Sequence, residues 1–111
     1  MDAKVNNYTY TIIKEKTNLD EKTKLILVRC ARVYFTTKNW EKAIKEYSSL
    51  MTEFPDDPNI IEPLAKSYYE AGNKEKAKEL YEKVKSIYES KAELEKAQRV
   101  QKDIERYFPK S

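Results

Sequence analysis

The feature that most limits what this chain can fold into is an internal repeat. Shifted by 34 residues, the sequence aligns with itself without an insertion: Asn39-Trp40-Glu41-Lys42-Ala43 falls on Asn73-Lys74-Glu75-Lys76-Ala77, Ala31 on Ala65, Tyr34 on Tyr68, and Tyr47 on Tyr81. Conservative matches extend the alignment, with Leu27 on Ile61, Cys30 on Leu64, Phe35 on Tyr69 and Leu50 on Val84. The matched residues are mostly small or aromatic, the kinds that set how closely helices approach, while the surface positions between them diverge. A unit of this length cannot bury its own apolar face and must stack on a neighbour to do so.

Each copy reads as a pair of helices. In the first, Leu25-Ile26-Leu27-Val28, Ala31 and Tyr34-Phe35 recur at helical spacing over residues 20–36, and Asn18 with Glu21 forms a capping box at its start. Thr36-Thr37-Lys38-Asn39 breaks the pattern. Trp40, Ala43, Ile44, Tyr47, Leu50, Met51 and Phe54 then repeat at three- and four-residue intervals up to Pro55-Asp56-Asp57-Pro58. In the second copy one helix runs from about Asn59 to Ala71, closed by Gly72, and Pro63 is expected in its first turn or two. The next starts at Asn73 as cap and carries Ala77, Leu80, Tyr81, Val84, Ile87 and Tyr88. Ser90-Lys91-Ala92-Glu93 reads as a capping box, and Leu94, Ala97, Val100, Ile104 and Tyr107-Phe108 form one apolar stripe on a last helix.

This pattern resembles the tetratricopeptide repeat, a 34-residue helix–turn–helix with large, large, small and aromatic residues in its first helix, then Ala, an aromatic and a closing Pro. Leu27, Cys30, Ala31, Tyr34, Ala43, Tyr47 and Pro55 fill it once. Ile61, Leu64, Ala65, Tyr68, Ala77 and Tyr81 fill it again, with Glu89 in place of the closing Pro. The resemblance implies an all-α fold, an antiparallel helix-pair solenoid of five or six helices. Its repeats would span about residues 24–57 and 58–91, and a capping helix about 91–108, within a domain over 20–111. Residues 1–19, with Tyr8, Tyr10, Ile12 and Ile13, fit either a short N-terminal helix or an arm over the first repeat.

Composition narrows the chemistry. One Gly in 111 residues argues against a turn-rich β fold. With no His and a single Cys, the usual structural zinc sites and a Ser-His or Cys-His nucleophile pair cannot be assembled. We therefore expect no enzyme and no cofactor. Cys30 is expected in the core between Leu27 and Tyr34, since unpaired cysteine behaves as a small hydrophobe. A lone Cys also suits a reducing, cytoplasmic setting. The net charge of +3 is interspersed, with no basic block for nucleic acid or an anionic membrane. The Asp56-Asp57 pair reads as a helix cap beside prolines.

In such arrays the first helices of each pair line a concave groove that receives a peptide. Carried over, the groove presents Arg29, Arg32 and Phe35 from the first copy and Asn59, Lys66 and Tyr69 from the second. Arg32 with Lys66 and Phe35 with Tyr69 occupy equivalent places, a cationic pair beside an aromatic pair, which suits a ligand with a carboxylate and an apolar anchor. Family members that clamp acidic chaperone tails use a set of Lys, Asn and Arg. Val28, Arg32 and Pro63 stand at three of those positions here, so that clamp is absent. The expected function is a protein-interaction module, scaffold or adaptor, as a monomer or weak homo-oligomer. The alternatives are a self-associating structural repeat and an RNA-binding helical repeat.

Overall fold

The computed structural model describes residues 21–109, and the expectations for residues 1–19 and for Asn18 lie outside the described residues. Five helices follow one another: α1 (Glu21–Thr36), α2 (Trp40–Glu53), α3 (Pro58–Glu70), α4 (Lys74–Ser90) and α5 (Leu94–Tyr107). Each packs on the next in sequence, α1 also touches α3, and the described residues contain no strand. This is the all-helical solenoid that the repeat predicts.

The caps and turns follow from local chemistry. Asn39 and Asn73 cap α2 and α4, each accepting a hydrogen bond from the amide three residues on. Asp57 caps α3 through Asn59 N at 2.9 Å, as the Asp-Pro turn predicts, and also pairs with Lys24. Pro58 opens α3, which places Pro63 in the second turn of the helix. Ser67, fully buried, satisfies its hydroxyl on the Pro63 carbonyl at 2.8 Å. Gly72 takes φ +97°, the left-handed conformation that ends α3.

The core is built from the repeat's own signature. Ala31, Ala43, Ala65 and Ala77 are fully buried, so small side chains sit at the close approaches between helices. Tyr47, Tyr81, Ile60, Ile61, Leu64, Val84 and Val100 fill the space around them. Burying one such side chain contributes roughly 1.5–3 kcal/mol, and among the described residues no buried side-chain nitrogen or oxygen lacks a partner.

Three expectations need correction. Cys30 is exposed, not in the core. So are Ile26, Leu27 and Val33, and α1 sinks only Ala31 completely. In the second copy the equivalent Ile60, Ile61, Leu64 and Ser67 are buried because α3 has helices on both sides, α2 and α4. No described helix precedes α1 to do the same. Leu94 lies 60% exposed, outside the stripe of Ala97, Val100 and Ile104, because it is the first residue of α5. Ser90 is no cap: it ends α4, its hydroxyl donating to the Ile87 carbonyl, and α5 starts after Glu93 without a side-chain cap.

The turn that replaces that box has a counterpart. After α1, α3 and α4 the chain makes the same tight turn, with a left-handed residue in each: Lys38 at φ 63°, Gly72 at 97° and Ala92 at 59°. In each the following residue donates to a carbonyl five back, Asn39 to Tyr34, Asn73 to Tyr68 and Glu93 to Tyr88. In each an alanine amide then donates to that residue: Ala43, Ala77 and Ala97. The correspondence runs to the ends of α2 and α5, where Phe54 (φ −129°, ψ 72°) and Phe108 (φ −130°, ψ 64°) close the helices, each followed by Pro. Thus α4 is at once the second helix of one pair and the first helix of another.

Candidate protein-binding groove

A cavity of about 310 Å³ lies between α1, α3 and α5, the side on which the sequence resemblance puts the groove. Phe35 forms its α1 wall and Asn59, Glu62 and Lys66 its α3 wall, while Asp103 and Tyr107 close it from α5 and Tyr81 reaches it from α4. Three of the residues proposed from sequence, Phe35, Asn59 and Lys66, therefore share one cavity. Tyr69 stands beside it, its ring 4.8 Å from Tyr107 and 5.6 Å from Phe108. Arg29 and Arg32 do not line the cavity. They are exposed on α1, and Arg32 is near enough to Tyr47 to act on its hydroxyl electrostatically.

The proposed cationic pair is unequal. Lys66 is half-buried and engaged, with its Nζ 3.2 Å from the Tyr107 hydroxyl, 3.6 Å from Glu70, and over the Tyr107 and Tyr69 rings at 4.5 and 5.5 Å. It is not the solvated cation that sequence alone suggests, because α5 folds back over it. Arg29 and Arg32 form no ion pair among the described residues and stay available. Phe35 packs edge-on against Trp40 and Tyr47, with centroids at 5.5 and 6.5 Å, which fixes the orientation of its ring.

The α5 wall is what sequence reasoning missed. Glu62 takes a two-pronged ion pair from Arg99 at 2.7 and 3.0 Å, and this bond holds the Arg99 charge firmly in place. Asp103 draws on both Arg99 and Arg106. Tyr81, sunk beneath this wall, has its hydroxyl pKa raised far above the ordinary 10, mainly by burial and then by the nearby Tyr107, Glu62, Asp103 and Glu70. The available signal was the Phe-Pro pair at 108–109, which repeats the one at 54–55 and marks α5 as a full member of the stack. A wider opening of about 500 Å³ lies at the turn end of the stack, where two of its three lysines are already paired, Lys24 with Asp57 and Lys96 with Glu93. Among the described residues no cluster of His, Cys, Asp or Glu is placed to hold a metal ion, and no helix is long and apolar enough to cross a membrane.

A tetratricopeptide-repeat family model matches residues 34–99, more than half of the chain. The chain belongs to the tetratricopeptide-repeat family. That match starts in the last turn of α1 and ends in the first half of α5, so it takes in α2, α3 and α4 whole. No curated protein and no solved structure matches the chain. Tetratricopeptide-repeat domains are in general protein-interaction modules that bind other proteins or peptides.

Proposed function

We propose that this tetratricopeptide-repeat chain binds a peptide segment of another protein along its concave groove. The observation that carries the reading is the meeting of Phe35, Asn59 and Lys66 in one cavity, with Arg32 exposed on the same helix as Phe35 and in no ion pair among the described residues. An apolar ligand side chain enters against the fixed Phe35 ring. A ligand carboxylate meets Arg32, since Lys66 is already held by Glu70 and Tyr107. Asn59, exposed at the cavity wall, offers its amide to the ligand backbone. Lys66, Arg99 and Arg106 on these walls are already engaged by carboxylates, so the cavity offers no run of free cations to a phosphate backbone, which favours a peptide over single-stranded RNA.

Panning a displayed random-peptide library against the intact chain tests this. Enriched peptides should share an acidic residue near a large apolar one. Arg32→Glu combined with Phe35→Ala should weaken them at least tenfold, about 1.4 kcal/mol. Undiminished binding by a folded double variant would place the ligand elsewhere on the molecule.

A further inference from the structure

We infer that the outer face of α1 is a second docking surface, for an acidic amphipathic helix of another protein. Four of the five large hydrophobic residues that stand exposed among the described residues belong to α1. Three of them, Ile26 (58% exposed), Leu27 (38%) and Val33 (59%), share one arc of the helix with the exposed Cys30. One repeat later the same arc carries Ile60, Ile61, Leu64 and Ser67, each at most 1% exposed. The fold itself thus demonstrates what this surface accepts: an arc of this composition in this architecture is covered by a neighbouring helix.

The margins define which helix. Lys22 and Arg29, seven residues apart and exposed, run along one side of the arc. On the other, Lys42 sits over the Tyr34 ring at 5.7 Å. A helix with an apolar stripe and glutamate or aspartate on its flanks matches both margins, and such complementarity steers encounter as well as register. A second copy of this chain does not match: antiparallel pairing of two α1 faces sets each basic margin against itself. This surface is distinct from the concave groove and does not depend on it.

Cys30, the one cysteine of the chain, lies in the middle of the arc and reports its occupancy. The experiment follows the rate of maleimide alkylation of Cys30 in the full chain, alone and with two synthetic amphipathic helical peptides. Both carry leucine at helical spacing, one flanked by glutamate and the other by lysine. The thiol of the chain alone should react within a few-fold of a small free thiol, independent of protein concentration. The glutamate peptide should slow it at least tenfold, saturably and less at high salt, and the lysine peptide should not. Ile26→Asp with Val33→Asp should abolish that protection while leaving helicity and groove-selected peptides unaffected. Protection already present in the dilute chain means that its own residues cover the face, and protection that grows with chain concentration means that a second copy does. Either result overturns the inference, as does equal protection, or none, from the two peptides.

Discussion

Replacing Ala77 by leucine tests the packing on which the stack depends. Ala77 is fully buried in the first turn of α4, its amide donating to the Asn73 carbonyl at 3.1 Å, so the backbone cannot shift without loosening the cap. The added carbons meet α3, where Ala65 is also fully buried. Overpacking of this kind costs about 1–3 kcal/mol. For a domain of this size each kcal/mol lowers Tm by roughly 4–8 °C, so the fall should be roughly 5–20 °C. Urea unfolding, followed by circular dichroism and by the fluorescence of Trp40, reads the midpoint and the slope together. One control makes the result specific. Lys78→Leu, exposed beside Ala77, should change stability by no more than about 0.5 kcal/mol. An unchanged midpoint for Ala77→Leu, or an equal fall for Lys78→Leu, would refute the close-approach assignment.

Two further outcomes follow from the turns and the buried tyrosines. Ala92 holds φ 59° where Gly72 holds 97°, so Ala92→Gly should raise stability by about 0.5–1 kcal/mol in the same urea titration, and an equal loss would mean that the turn is not strained. Tyr81 stays protonated in the fold while the unfolded chain ionises near pH 10, so its stabilisation is complete below pH 10 and is lost as pH rises toward the folded value. Thermal melts across the alkaline range should therefore fall less steeply in Tyr81→Phe than in the parent chain, with Tyr47 and Tyr88 giving the slope that remains.

How much of this was legible in the sequence depended on whether a position is fixed by its own repeat or by its neighbours. Ala43, Ala77, Tyr47 and Tyr81 are buried by helices inside their own pair or the next, and their recurrence alone placed them in the core. Asn39, Asn73, Asp57 and Gly72 act through bonds and torsions within a few residues, so their roles could be read locally. Leu27 and Cys30 have the same sequence pattern as Ile61 and Leu64 but different surroundings, and a periodic pattern reports what an apolar residue needs rather than what the fold supplies. Lys66 shows the converse. Its position suggested a solvated cation, and only the return of α5 gives it Tyr107 as a partner.

The end of the second copy shows how one sequence departure shapes the groove. Glu89 takes the place of the proline that closes the first copy, so α4 is not stopped there and runs on to Ser90, against Glu53 for α2. The extra length carries Tyr88 to the point where Glu93 can return a hydrogen bond to its carbonyl, and the tight turn used within a pair now joins α4 to α5. A tight turn leaves α5 little freedom to splay. It brings Arg99 to Glu62 and Tyr107 to Lys66 on α3, contacts that bind the third wall of the groove to the second. Among the described residues the first wall has no such tie across the cavity: Arg32 of α1 forms no ion pair, while Glu62 is taken by Arg99 and Glu70 by Lys66. On the proposed peptide-binding reading, a ligand carboxylate would therefore be held at the α1 end, by Arg32, rather than at α5, where the charges are already paired.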